Sequence, residues 1–369
     1  MKLTIIRPSR RKQSSKYIVR IAAIMLLLFF LCIGLWWLIP IQLLMYLFWR
    51  KIQKTDKRLY SLALTLFFSI LALLIRIFAV GFYYVPSASM ENAILPGDII
   101  LVSKLNYGPK LPDFIPGDYR LNGTQDIKSG DIVSLLAPRD QIVLIKRCIG
   151  SPGDTLEVKG GYAYVNEKLT PESSLIKLPY SLTFKTKDDA RTITDQYEFL
   201  RGETIAFKNE LYVVKALLTG EQAEQLKVAF LHRPIELQRE MSTKESYRIA
   251  SPDRKSWSED FYGPVIVPKK GMEFLIDNDF FELYTNLLRQ FEGVNLIKRD
   301  GLFFIDHNET LSYSFKNNYF FVLGDNRNFS EDSRHWGMIP EKNITAKVMV
   351  VLFNSDHNAD SNRIFRTVQ

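Results

Sequence analysis

QIVLIKRCIGSPGD, residues 141–154, sets the reading of the chain. Ile, Val and Leu fill its first half, and Gly150, Ser151, Pro152 and Gly153 end it. This is the pattern of a β-strand closed by a turn. Side chains alternate across a strand, so Lys146 shares a face with Ile142, Leu144 and Cys148. That face is otherwise wholly apolar. Two readings follow: a surface lysine on an edge strand with its ammonium in water, or a lysine aimed into a dry interior. Arg147 points to the opposite face in either case.

The same pattern recurs outward from this stretch. DIILVSK (98–104), GDIVSLLA (130–137), GGYAYVNEKL (160–169) and NNYFFVLGD (317–325) are short β-type runs bounded by Gly, Pro, Asn or Asp. Helical periodicity is confined to roughly 219–228 and 278–292 in the part beyond residue 84. The fold expected there is mainly β and antiparallel, tethered by helices. No internal repeat or low-complexity tract stands out.

The chain has 369 residues, 47% apolar and 24% charged, enough for one or two domains with a real core. Its net charge of +8 is unevenly spread. Residues 1–60 carry twelve Lys/Arg and one acid, whereas the remainder carries 36 bases and 39 acids. The excess flanks apolar segments, which is membrane topology rather than a nucleic-acid footprint. Nucleic acid is therefore excluded as a partner. Cys32 and Cys148 lie in separate apolar and strand-like runs and are not expected to pair.

Ile21 to Trp49 holds no charge and is long enough, at roughly 44 Å as a helix, to cross a hydrocarbon core of about 30 Å. Pro40 is expected to break it, leaving a span near 21–39 and an interfacial piece rich in aromatics. A basic loop, 50–58, precedes a second apolar stretch, 59–82, interrupted only by Arg76. Positive-inside logic puts the loop in the cytoplasm and everything after Phe82 outside. The basic flank 1–20 makes the same demand from the other side of one span, so charge leaves the N-terminal topology open.

GFYYVPSASMENAILPGD (81–98) follows the second apolar stretch at once. A serine hydroxyl is a weak nucleophile and needs a base. A lysine can act as one only when neutral, and at an ordinary pKa of about 10.4 it is almost all charged at pH 7. Burial lowers a lysine pKa by up to about 3–5 units, so an apolar strand face is what a lysine base requires.

VPSASM (85–90), LPGDIILVSK (95–104), SGDIV (129–133), LIKRCIGSPGD (144–154) and VLGDNRNFSEDSRHWGMIP (322–340) resemble, in order, the motif blocks of bacterial type I signal (leader) peptidases. The resemblance covers about 80–155 and 312–350. It implies a Ser/Lys-dyad membrane serine protease with an antiparallel β catalytic domain, of the fold shared with repressor-type Ser-Lys peptidases. Carried over by position, Ser89 is the nucleophile and Lys146 the general base. Ser87 and the Ser89 N–H form the oxyanion hole, and Ser330 orients the lysine. Arg147, Asp325, Asp332 and Arg334 give structural support. Tyr83, Val85, Pro86, Met90, Ile94, Leu144 and Ile145 lie at or beside shallow substrate pockets for small side chains. Asn92-Ala93 stand where the family usually has Pro-Thr, a departure in the loop rather than in the dyad.

The implied organisation is a basic flank (1–20), a first membrane segment (21–49), a cytoplasmic loop (50–58) and a second transmembrane helix (59–82). A catalytic core (83–155 and 312–355), an enlarged β-rich inserted subdomain (156–311) and a tail (356–369) follow. The implied activity is cleavage of signal peptides from exported preproteins after Ala-X-Ala-type sites, with no metal or organic cofactor. The implied place is the plasma (inner) membrane, multi-pass, with the catalytic domain on the extracytoplasmic side. Preproteins, membrane lipid and the export machinery are the expected partners.

Rival readings are weaker. Asp332 and His335 invite a Ser-His-Asp triad, but the LIKR block keeps the lysine that histidine-bearing relatives replace. Asp306-His307 and Asp356-His357 lack the further ligands of a metal site, and His232 stands alone. An inactive membrane-anchored relative serving as a binding protein would be free to lose Ser89 or Lys146, and both are present. A self-cleaving repressor-type regulator would lack the two apolar anchors.

Overall fold

The computed structural model describes residue 24 and residues 57–110, 119–138, 140, 142–171, 174, 176–231, 235–242, 257–355 and 364–368. The expectations for the basic flank, for the 21–49 segment apart from Ile24, for most of the 50–58 loop, and for Cys32, His232 and His357 lie outside these residues. The chain divides into two units, 1–81 with 103–126, and 82–102 with 127–369.

The first unit carries a helix, α1 (Lys57–Phe78). Its C-terminal carbonyls are closed by a lysine, as the negative end of a helix favours. Lys104 Nζ donates to the carbonyls of Arg76 (2.9 Å) and Ile77 (3.1 Å). Phe78 is buried against Phe67, Leu71, Leu74, Leu105 and Leu121. Among the described residues no helix is long and apolar enough to cross a membrane. The second apolar stretch is also shorter as a helix than the sequence suggested. It ends at Phe78, and a strand, β1 (Val80–Tyr84), begins two residues on. Val80, Phe82, Tyr83 and Tyr84 are strong strand formers and Gly81 is a poor helix residue, so propensity changes over at this point.

The second unit is built on an antiparallel sheet. β2 (Asp98–Ser103), β3 (Ile132–Leu136) and β4 (Val143–Gly150) follow β1 in sequence. β3 and β4 pair antiparallel, with Val133 opposite Lys146 and Ile132 opposite Arg147. β5 (Thr155–Lys159), β6 (Tyr162–Val165) and β7 (Lys168–Leu169) then turn back on one another in a separate four-stranded sheet.

Residues 176–239 enclose a core of their own. β8 (Leu178–Phe184) alternates strictly, burying Leu178, Tyr180, Leu182 and Phe184. Behind it come α2 (Lys187–Gln196), β9 (Ile205–Lys208), β10 (Leu211–Leu218), α3 (Gly220–Phe230) and β11 (Glu236–Arg239). The strands order as β11-β8-β10-β9, and Ala190, Ile193, Leu226 and Phe230 of the helices fill the core. α3 starts on a capping box, Thr219 with Gln222, close to where periodicity placed a helix. α2 was not foreseen. It is mostly polar and buries only Ala190, Ile193 and Thr194, too few apolar positions for a 3.6-residue period to emerge.

β12 (Phe261–Ile266) joins the β5–β7 sheet, and β13 (Glu273–Leu275) leads to α4 (Asn278–Leu287). Asp277 caps α4, and a π-turn extends it through Leu288–Glu292 to Gly293, which takes the left-handed conformation at φ 67°. The helix thus occupies the stretch expected at 278–292. β14 (Leu296–Arg299), β15 (Leu302–Ile305) and β16 (Asn308–Glu309) form a small sheet of hairpins, and β17 (Ser312–Ser314) pairs with β13. β18 (Tyr319–Leu323) returns to the main sheet, followed by the one-turn helix α5 (Ser333–Trp336), β19 (Ile339–Pro340), β20 (Ile344–Asn354) and β21 (Arg366–Thr367). The main sheet orders as β1-β2-β20-β3-β4-β18-β19, with β21 on β20.

An aromatic core joins β4 and β18 to the 155–165 and 257–315 segments. Phe315 lies within 6.1 Å, ring to ring, of Phe274, Phe280, Tyr284, Tyr313 and Tyr319. Such tilted and edge-on pairs add to area burial and give the core a fixed shape. The 322–340 block is therefore anchored on this core by Leu323 near its start and Met338 near its end.

Candidate active site

Ser89 sits on the 85–97 loop between β1 and β2. The loop is pinned at both ends, where Val85 N donates to Asp98 O (2.9 Å) and Gly97 N to Val85 O (2.8 Å). Met90 and Ile94 are fully buried and anchor it from within. Ser89 is itself buried, and its carbonyl accepts from Asn326 N at 3.1 Å. Two residues past Met90, Asn92 has φ 107°. Asparagine tolerates positive φ better than most residues, and proline, locked near −65°, cannot adopt it. The loop is thus turned differently from one carrying Pro-Thr here.

Lys146 is 3% exposed in the middle of β4, and its Nζ lies 2.9 Å from Ser89 Oγ. Fifty-seven residues of chain separate the two. Burial pushes the ammonium down to about 8 from its ordinary 10.5, opposed by Asp332, assisted by Arg334, and opposed more weakly by Asp325 and Glu331. At pH 7 about a tenth of the lysine is then neutral, against about one part in three thousand for an ordinary one. The strand face itself is not the cause. Ile142 is 55% exposed and Leu144 half-buried, so the dryness at Lys146 comes from tertiary packing over the inner half of β4.

Around this pair stand two buried ion pairs. Arg147, on the other face of β4, clasps Asp325 with two bonds of 2.8 Å and donates to Gly130 O at 2.9 Å. Arg334 clasps Asp332 with two bonds of 2.9 Å. Asp332 also accepts from the N–H of Gly324 (3.1 Å). Burial alone would push the Asp332 carboxyl up, but Arg334 and His335 hold it well below the usual carboxylate range. Paired and hydrogen-bonded on all sides, these charges fix the 324–334 loop; removing one partner would strand the other.

His335 does not reach a serine. Its Nδ1 stands 3.2 Å from Asp332 N and 3.8 Å from Asp332 Oδ1, and its Nε2 meets Glu259 Oε1 at 3.1 Å. Burial lowers its affinity for a proton, but Asp332 and Glu259 outweigh this and raise it to about 9. Its place is in the cap of α5, not in a triad.

The remaining expected residues fall as follows. Ser87 is exposed, with Oγ 3.4 Å from Ser89 Oγ. The bond from Ser330 to Lys146 that the resemblance implies is not formed. Ser330 Oγ is buried with no hydrogen-bond partner among the described residues, while Lys146 Nζ bonds to Ser89 Oγ. Gly324 explains the tightness there, since a Cβ would stand 2.2 Å from Ser330 Oγ and 2.6 Å from Ser89 O. Val85, Met90 and Ile94 belong to a packed cluster with Ile100, Val102, Ile132 and Val348, against which Tyr83 and Ile145 lie. Leu144 is half-buried and Pro86 exposed. Sequence reasoning missed Gly324 and Asn326, which lay inside the quoted 322–340 block, and Glu91 and Lys177, for which it offered no signal.

The chain matches the family model described as signal peptidase, peptidase S26, over residues 58–215 and 282–353. It is similar to signal peptidase I of Buchnera aphidicola subsp. Baizongia pistaciae, 27% identical over 76% of this chain and 72% of that protein. It is similar also to signal peptidase I of Aquifex aeolicus (27%, over 78% and 82%) and of Pseudomonas aeruginosa (26%, over 77% and 69%). With a match of this extent, and with a serine and a buried lysine at hydrogen-bond distance, the chain belongs to the signal peptidase family, peptidase S26, and is a serine endopeptidase that acts on signal peptides.

Proposed function

We propose that this endopeptidase cleaves exported preproteins after Ala-X-Ala-type sites through a Ser89 acyl-enzyme, with Lys146 as general base. The observation that carries the reading is the 2.9 Å contact between Ser89 Oγ and the buried Lys146 Nζ. Neutral Lys146 takes the Ser89 proton as Oγ attacks the scissile carbonyl, and returns it to the leaving amine. Water then enters, loses a proton to Lys146 as it attacks the acyl carbonyl, and the acid departs as the bond to Ser89 Oγ breaks and Lys146 returns that proton to Oγ. The Ser89 N–H, which has no hydrogen-bond partner among the described residues, and the Ser87 hydroxyl receive the oxyanion. Each such donor is worth about 2.7–4 kcal/mol in other proteases. Ser330, buried and unpartnered, keeps a hydroxyl free for the lysine once it has lost or regained its proton.

The preference for small P-side residues follows from the family resemblance, and the packing of Val85, Met90 and Ile94 in a closed apolar cluster gives the nucleophile loop a fixed shape on which such a preference can rest. The chain is held at the plasma membrane by its apolar segments, with the catalytic unit outside. Leu59–Ile75 is a run of seventeen residues without charge, and Ser89 lies thirteen residues beyond Arg76. A nucleophile so close in sequence to a membrane segment suits a substrate anchored in the same lipid and delivered by the export machinery.

The test is cleavage of a preprotein bearing an Ala-X-Ala site by the full chain in lipid. Ser89→Ala and Lys146→Ala should each lower the rate at least about a thousandfold with the fold intact. Retained cleavage by either variant contradicts the dyad.

A further inference from the structure

The 176–239 lobe touches the catalytic machinery through its first residues. Lys177, one residue ahead of β8, bridges in parallel to Asn326, and its N–H donates to Asp325 O at 3.2 Å. Its Nζ donates to Glu91 Oε1 at 2.9 Å. Glu91 lies two residues after Ser89, and its other oxygen accepts from Asn326 Nδ2 at 3.3 Å. Asn326 in turn donates its N–H to Ser89 O.

These contacts close a ring. From Ser89 Oγ it runs to Lys146 Nζ, along the peptide to Arg147, and through the double bond-pair to Asp325. From the Asp325 carbonyl it passes to Lys177, then to Glu91, and by two peptide links back to Ser89. Asn326 braces it across the middle. Three of the ring's four non-peptide links bear an ionised group or a bidentate pair, and none of the four lies beyond 3.2 Å. A ring of this kind holds the nucleophile and the base at a fixed separation, and its closing member comes from the lobe, 86 residues along from Glu91. Glu203, in the same lobe, feels both groups: burial and then Glu91 raise its carboxyl, and Lys177 opposes them.

We propose that Glu91 and Lys177 are positioning residues, through which the 176–239 lobe sets the distance from Ser89 to Lys146. This rests on the dyad reading above. Neither residue touches the reacting atoms, and the work they do is geometric. A misplacement of about 1 Å between reacting groups costs up to about a hundredfold in rate, so partial loosening of one link is expected to cost about tenfold.

The experiment compares the full chain with Lys177→Met, Lys177→Arg and Glu91→Gln on one Ala-X-Ala peptide. Lys215→Met, which breaks an exposed pair with Glu240 in the same lobe, is the control. Lys177→Met should lower kcat about tenfold with KM within about twofold, and Lys177→Arg should restore at least about half of kcat. Glu91→Gln should fall between them, and Lys215→Met should match the parent. The proposal is overturned by an unchanged kcat in Lys177→Met, by an arginine no better than methionine, by a loss confined to KM, or by a loss that follows the unfolded fraction. If Ser89→Ala in the same series still cleaves, the dyad reading fails, and the role assigned to the ring fails with it. A dead Ser89→Ala beside a fully active Lys177→Met rejects the ring alone.

Discussion

Two lysines approach the nucleophile's loop, and their surroundings differ in kind. Lys146 comes from the middle of a sheet strand, is 3% exposed, and meets a neutral hydroxyl. Lys177 comes from the entry to the 176–239 lobe, keeps 19% of its side chain exposed, and meets a carboxylate at 2.9 Å. Burial without a directly bonded anion drives the first toward the neutral form. The second sits in an ion pair and is suited to hold rather than to transfer. Residue type is the same in both, so the chemistry is decided by what each ammonium is packed against. The carboxylates near Lys146 are consistent with this: Asp325 and Asp332 are each clasped by an arginine, which leaves the lysine without an acid of its own.

The comparison breaks most easily at those arginines. Arg334→Met should leave Asp332 buried beside the lysine without its counter-charge. The expected loss is about 3–5 kcal/mol of stability, read from urea unfolding. It should also raise the pKa of Lys146, seen as an alkaline shift of the acidic limb of kcat/KM in whatever fraction remains folded. A mild effect on both would mean that the ion pair does not isolate the base.

A smaller effect sharpens the contrast. Lys146→Met removes a charge that the fold holds at a disadvantage, and should stabilise the chain by about 1–3 kcal/mol while abolishing cleavage. The sign follows from linkage. Between about 8 and the ordinary 10.5 the folded chain binds fewer protons at this site than the unfolded chain, so parent stability rises with pH across that window. The advantage of methionine is therefore full at and below about pH 8 and fades toward pH 10.5. Urea midpoints at pH 7 and pH 10 check it. A variant less stable than the parent at pH 7 would count against a penalised lysine.

Much of this was legible before any coordinates. β4 announces itself by apolar residues and a closing turn, and α3 and α4 by periodicity and caps. Ser89 and Lys146 stand in motif blocks whose order is itself informative. What escaped did so for physical reasons. α2 has too few buried positions to show a period. The end of α1 is set by a change of propensity at Val80 that a hydropathy reading passes over. The dryness at Lys146 was attributed to its strand neighbours, yet Ile142 is largely exposed and the enclosure comes from elsewhere in the fold. Lys177 and Glu91 are ordinary surface residue types joined across 86 residues, and nothing local marks such a pair. Ser330 was placed on the right loop, but a hydroxyl's bonding is a matter of tenths of an ångström that no motif encodes.

The central claim is that burial brings the titration of Lys146 down to about 8, so that a usable share of it is neutral near pH 7 and half of it at pH 8. It is tested most directly by titrating the chain labelled with carbon-13 at the lysine ε-carbons, and following the signal that is absent from Lys146→Met. The account predicts a transition at about 8. A transition above about 10, where ordinary lysines titrate, would contradict it.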